Sequence, residues 1–143
     1  MIRFVDVNEV LPVRSEVLRD GKPLSECYFP GDQDAGSFHL GYFSEEKLTG
    51  VATFHPQSHP RFPGTGFQLR GMATIPSRQK SGVGNQLLNF AIVYLRGQQA
   101  NYLWCNARKA AYQFYLGLGF EFVSDEFEVP GIGPHREMYL KIR

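Results

Sequence analysis

The stretch Phe67-Gln68-Leu69-Arg70-Gly71-Met72-Ala73-Thr74-Ile75-Pro76, with Gln79-Lys80-Ser81-Gly82-Val83-Gly84 shortly after it, decides the fold. Its first part is apolar-rich and ends at a proline, as a strand does. From Val83 the period changes: Leu87, Leu88, Ala91, Ile92 and Leu95 recur at helical spacing, and Gly97 is a natural stop. Gly82 and Gly84 stand where strand hands over to helix, so the backbone can turn tightly and approach a ligand with no Cβ in the way. The first N–H groups of the helix have no internal partner, and its dipole adds partial positive charge there. That end suits a phosphate, although a Gly-x-Gly at such a junction is also often a plain turn.

Two other phosphate loops are excluded. A Walker A loop requires Gly-Lys-Ser/Thr, but Gly84 is followed by Asn85-Gln86. A dinucleotide fingerprint needs a third glycine and an acid about 20 residues on; the next strand, from Tyr102, ends in Asn106. A diphosphate held by backbone amides alone remains compatible.

Composition narrows the class. The 143 residues suit one domain, 1–143, with a real core, and carry twelve Phe and seven Tyr. A net charge of +1 gives no global field for nucleic acid or an anionic membrane. No apolar run reaches the ~18–20 residues of a membrane span, and Arg3 and Asp6 interrupt any signal-peptide pattern. The two cysteines, Cys27 and Cys105, form no framework, so a cytoplasmic protein is expected.

Residues 2–7 alternate like a first strand. Asn8 is placed to cap a helix through Val10, Val13, Val17 and Leu18, with Pro12 in its first turn. Residues 25–36 are polar and turn-rich, and 38–43 with 48–54 read as a hairpin. Residues 55–66 form a proline-rich loop, bordering either an acceptor pocket or a subunit contact in a homodimer. Beyond the strand 102–106, residues 107–116 read as helix, and 120–123 and 137–142 as final strands. The predicted class is α/β (α+β), with a mixed central sheet of six to seven strands flanked by helices.

Gln79-x-x-Gly82-x-Gly84 after a strand resembles the acyl-CoA pyrophosphate loop of the GNAT superfamily of N-acetyltransferases. Asn106-Ala107-Arg108-x-x-Ala111-x-x-Phe114-Tyr115-x-x-Leu118-Gly119-Phe120 resembles that superfamily's second signature, and Leu69-Arg70-Gly71-Met72-Ala73 its fourth strand. The resemblance spans nearly the whole chain and implies the acyl-CoA N-acyltransferase-like fold. It implies acetyl-CoA as co-substrate, the backbone of Met72, Ala73 and Thr74 pairing with the pantetheine arm like an added strand. A bulge in this strand would open the slot. Gln79, Lys80, Ser81, Gly82, Val83 and Gly84 would wrap the pyrophosphate, Asn106 would bond the pantetheine, and Tyr115 would sit by the thioester sulfur. On residue type alone, Asn106 also suits a strand-end turn and Tyr115 a core aromatic; Phe114 reads as core.

The implied reaction is direct attack of an amine on the thioester carbonyl in a ternary complex. A free N–H near Met72 could hold the oxyanion, and Tyr115 could protonate the leaving thiolate. A lysine-like amine, with a pKa of ~10.4, is neutral in only about one molecule in ~10³ at pH 7, so a base would help. Where histone-type members carry a glutamate, this chain has Gln68, which is no base. His135, opening the last strand, is the replacement base or else a turn residue; Glu126 and Glu128 are weaker candidates. His55 and His59 lie on a proline-broken loop with no third ligand, so no metal is expected. Arg61 and Arg70 could serve an acidic acceptor. The expectation is an acetyl-CoA-dependent N-acetyltransferase acting on a small amine or an exposed amino group, with no nucleic-acid or membrane partner. The alternative is a catalytically silent acyl-CoA-binding module.

Overall fold

The computed structural model describes residues 1–143, and one continuous sheet runs through it. Strand β1 (Ile2–Val5) pairs with β2 (Phe38–Ser44), which turns into β3 (Lys47–His55). The turn is only Glu45-Glu46, both at positive φ (50° and 67°), the I′-type geometry that matches strand twist. Strand β4 (Gly66–Thr74) follows β3 antiparallel; β5 (Tyr102–Arg108) lies parallel to β4. Beyond β5 comes β8 (Gly133–Lys141), whose far edge carries β6 (Glu121–Phe122) and β7 (Phe127–Val129). The sheet therefore has eight strands, where the sequence suggested six to seven; β7 is too short to leave a periodic signal.

Helix α2 (Val83–Gly97) makes the crossover from β4 to β5 and covers one face. Leu87, Leu88, Ala91 and Leu95 are fully buried against Leu40, Ala52, Phe54, Leu103 and Met138. Each leucine contributes about 1.5–3 kcal/mol by leaving water. Gly50 on β3 is what lets α2 approach, because a Cβ there would lie 2.5 Å from Val83 Cγ1. Helix α1 (Val7–Leu18) covers the other face, with Val7, Val10, Leu11 and Val13 on Val51, Ala73 and Ile75. Asp6, not Asn8, caps it: Asp6 Oδ1 accepts from Glu9 N–H (3.3 Å) and Glu9 Oε1 accepts from Asp6 N–H (3.2 Å). This capping box outweighs the Asn8 alternative. Because the helix begins at Val7, Pro12 falls beyond its first turn.

Residues 107–116 are not one helix. Ala107 and Arg108 continue β5, Lys109–Ala111 form a 3₁₀ turn, and α3 is Tyr112–Gly117. Antiparallel pairing of Ala107 with Arg136 and of Arg108 with His135 extends the strand past the local signal.

On the α1 side, a buried polar network organises the turn-rich segment. Arg14, fully buried, donates to both carboxylate oxygens of Asp32 (2.7 and 3.1 Å), to the Cys27 carbonyl (2.9 Å) and to Thr53 Oγ1 (2.8 Å). Asp32 also accepts from His55 Nε2 (3.0 Å) and Phe29 N–H (2.7 Å). Thr53 hydroxyl donates to His39 Nδ1 (2.7 Å), and His39 Nε2 donates to the Asp32 carbonyl (3.1 Å). Burial opposes ionisation of Asp32. The hydrogen bonds from His55, Arg14 and the Phe29 amide outweigh it and hold the carboxyl well below its usual pKa. Burial lowers the His39 pKa.

Replacing Asp32 by Asn strands the Arg14 charge and is expected to cost about 3–5 kcal/mol in urea unfolding. Because the folded pKa is depressed, the Asp32 contribution is complete above the unfolded value of ~3.9 and is lost as pH falls through the folded one. Thermal melts below pH 4 should therefore fall more steeply for the wild type than for Asp32→Asn.

Candidate active site

Strands β4 and β5 are paired only at Gly66–Tyr102, Phe67–Leu103 and Gln68–Trp104. Beyond Gln68 they diverge. The β3–β4 register shows why: Val51 faces Ala73 but Thr53 faces Arg70, so β4 holds one extra residue between those pairs. Gly71 takes the strain at φ 62°, and a Cβ there would lie 2.7 Å from the Phe29 ring. Such a bulge bends its strand and increases local twist, leaving the facing edges of β4 and β5 without strand partners.

Residues 56–65 clamp the closed end of the splay; His55, expected on this loop, instead ends β3, where it pairs with Gln68. Trp104 Nε1 donates to the Gln57 carbonyl (2.7 Å), His59 N–H donates to Tyr102 Oη (2.7 Å), and Phe62 packs on Tyr139 at 4.7 Å between centroids. Arg61 donates to Glu137 Oε1 (2.6 Å) and the Val123 carbonyl (2.7 Å), and His59 Nε2 meets Glu137 Oε2 (2.9 Å). Neither this loop nor Arg61 borders the cleft, which overturns the acceptor-pocket half of the sequence expectation: the aromatic surface of β5 and β8 gives them an intramolecular seat.

The splay opens a cleft of about 540 Å³, lined on β4 by Gln68–Met72, on β5 by Cys105–Arg108, and by Tyr115 and His135. The end of α1 and the β7–β8 turn wall its other side. Met72, Asn106, Tyr115 and His135 thus converge, with Gln68 beside them. Asn106 is exposed within β5 rather than ending it. Tyr115 is buried, its ring edge-on to Phe114 and Phe120. Burial, then Cys105, pushes the phenol well above its usual pKa of 10; burial pushes the Cys105 thiol up to about 12. At neutral pH Tyr115 keeps its proton.

His135 lies inside β8, not at a turn. Its Nδ1 donates to the Gly133 carbonyl (2.9 Å), since a carbonyl can only accept. In the neutral ring, Nε2 therefore carries the lone pair. Phe127 stacks on it at 6.0 Å. Glu126 accepts from Tyr112 (3.2 Å), and neither it nor Glu128 lines the cleft.

The glycine loop lies at the far end of β4. Gln79 Nε2 bonds back to the Thr74 carbonyl (3.0 Å) and Ser81 Oγ to the Arg78 carbonyl, so these side chains shape the loop itself. Lys80 and Gly82 have positive φ (63° and 88°). Val83 is a core residue, leaving only its backbone to the loop. No side chain caps α2, which leaves its first N–H groups open. A Cβ on Gly84 would lie 3.0 Å from Phe114 and 3.8 Å from Met72, so loop and cleft are contiguous. Phe114 is half-buried against this turn rather than deep in the core. Two cleft residues gave no sequence signal of that role: Arg19, and Phe29, which the network around Asp32 carries there.

Comparison with known proteins agrees with this architecture. Residues 9–120 match the acetyltransferase (GNAT) family. YitI of Bacillus subtilis (strain 168), named an uncharacterized N-acetyltransferase, is 33% identical over 143 residues, covering 99% of this chain and 96% of its own. The ribosomal-protein-S18-alanine N-acetyltransferase of Escherichia coli superposes with a TM-score of 0.78 at 18% identity, over 99% of this chain and 93% of its own. An aminoglycoside 6′-N-acetyltransferase complexed with coenzyme A does so with a TM-score of 0.74 at 17% identity, over 100% and 97%. The chain belongs to the GNAT family of acetyltransferases.

The bulge can be tested without a ligand. Gly71→Ala and Gly82→Ala both force a side chain to positive φ, but only the first meets Phe29; the second meets nothing within 4 Å. Gly82→Ala should cost about 1–2 kcal/mol in denaturant unfolding, and Gly71→Ala clearly more.

Proposed function

We propose that the splay between β4 and β5 receives the pantetheine arm of acetyl-CoA, and that a primary amine entering from the α1 side attacks its thioester directly in a ternary complex. The observation that carries this reading is the conjunction of two unpaired, facing strand edges with an uncapped, glycine-turned helix N-terminus at one end. Met72, Ala73 and Thr74 offer main chain to an extended arm. Lys80 to Gly84 and the first turn of α2 offer N–H groups and the helix dipole to the pyrophosphate. The missing Cβ of Gly84 keeps that passage open past Phe114. Asn106, exposed in the cleft, bonds amide groups of the arm.

The chemistry divides among three groups. A main-chain N–H at the bulge, near Met72, holds the oxyanion as it forms. Tyr115, buried and protonated, gives its proton to the departing thiolate; its raised pKa makes it an acid and never a base. His135 Nε2 takes the ammonium proton of the acceptor, while the Gly133 carbonyl holds the other ring nitrogen as N–H. Gln68 is an uncharged wall residue. Two buried, unbridged thiols favour a reducing, cytoplasmic setting.

Thiol release from acetyl-CoA against a panel of amines tests the whole reading: amine-dependent release is expected, and tight binding of CoA with no turnover would make the chain a silent acyl-CoA module. Tyr115→Phe should lower kcat by about ten- to a hundred-fold and leave KM for acetyl-CoA nearly unchanged, because the proton matters only as the thiolate forms. An unchanged kcat would return Tyr115 to the core. In the wild type kcat/KM should fall on the acid side, and His135→Ala should remove that limb while still binding acetyl-CoA. Identical profiles would leave His135 with its role in β8 alone.

A further inference from the structure

We propose that the acceptor amine carries a carboxylate, and that Arg70 is the residue that holds it. This rests on acetyl transfer in the cleft as read above and names the class of acceptor. Arg70 stands on β4 immediately before the bulge, two positions from Met72, and its side chain lines the cleft. Its guanidinium carbon lies 4.4 Å from the centroid of Phe29, and the same ring takes Arg14 at 4.2 Å. Arg14 has its own carboxylate in Asp32, whereas Arg70 takes part in no ion pair. A half-buried guanidinium, seated on an aromatic ring, with Asp32 acting on it only through space and no carboxylate in salt-bridge reach, is arranged for a planar two-point partner. Burial lowers its pKa from the ordinary 12.5, and an anion in the cleft would relieve that cost.

The rest of the wall points the same way. Arg19, at the end of α1, also lines the cleft, and its Nε is buried with no partner. Buried donors are rarely left unmade, and an acceptor atom in the working complex would meet this one. Lys22 and Arg108 add charge, and Asp20 is the single acid in the wall. A polycationic acceptor would meet repulsion here, while an amine with a nearby carboxylate meets complementary charge. Because Arg70 and the bulge are adjacent along β4, amine and carboxylate must belong to one compact molecule, of amino-acid or short-peptide size. The position of Phe29 is itself set by Asp32, which accepts its N–H, so the buried network becomes part of specificity.

The test compares matched acceptors: amino acids against their carboxamides, β-alanine against O-phosphoethanolamine, and spermidine as polycation. Each is assayed by thiol release with acetyl-CoA and by calorimetric binding to the CoA-loaded protein. The wild type should favour each acid over its amide by about ten- to a hundred-fold in kcat/KM. Arg70→Gln should erase that preference with CoA affinity intact, and Arg70→Lys, which keeps the charge without the fork, should recover part of it. Equal use of acid and amide, a preference that survives in Arg70→Gln, or faster turnover of spermidine or the phosphate would overturn the proposal and leave acetyl transfer standing. Arg70-dependent binding of amino acids with no turnover would keep the carboxylate site and remove acetyl transfer. Neither turnover nor Arg70-dependent binding of any acid would overturn the proposal.

Discussion

One surplus residue in β4 sets the rest of the molecule. With β3 running Val51 to Thr53 opposite Ala73 to Arg70, the strand must bulge, and Gly71 takes the left-handed conformation that lets it do so. The parallel ladder with β5 then ends at Gln68–Trp104, and two hydrogen-bonding edges face each other across a gap. Unpaired edges are ordinarily a liability that proteins cover or charge. Here they lie inside the sheet, facing each other across the cleft. The clamp of residues 56–65 across Tyr102 and Trp104 keeps the closed end shut, so the opening is confined to one side of the splay.

The second constraint is the ion pair of Arg14 and Asp32. A fully buried guanidinium is costly unless its hydrogen bonds are met, and Arg14 meets Asp32, Cys27 and Thr53 while its Nε stays unpaired. The pair fastens a segment that has no regular structure to α1, β2 and β3, and so fixes Phe29 in the cleft. Stability on one face of the sheet and the shape of the acceptor side are thereby coupled: loosening Asp32 moves the platform on which Arg70 rests.

Most of the candidate site was legible in the sequence because it lies in contiguous motifs. The change of period at Val83, the glycines at 82 and 84, and the Asn106-to-Phe120 signature each describe one local piece of chain; with the fourth-strand resemblance at Leu69–Ala73, and His135 named for want of a base at Gln68, they picked out Met72, Asn106, Tyr115 and His135, which line one cleft. Parts made by distant residues were not legible. Ala107 and Arg108 look helical until β8 offers them a ladder, and β7 exists only because β8 is there to pair with it. Asp32 and Phe29 sit in a polar, turn-rich run whose partners come from α1, β2 and β3, so local chemistry says loop and nothing more. The Asp6–Glu9 capping box was visible by spacing, and the competing Asn8 obscured it. His55 and His59, which looked idle, meet two carboxylates, the buried Asp32 and the half-buried Glu137.

The gap beyond Gln68–Trp104 is, on the reading proposed above, the acyl-CoA slot. Amide hydrogen exchange with and without CoA addresses it directly, since both edges and the α2 N-terminus carry N–H groups that a bound ligand would engage. Slowed exchange confined to residues 72–74, 80–85 and 106–108 is the predicted result. Tight binding of CoA with protection elsewhere, and none along β4 beyond Gln68, would contradict it.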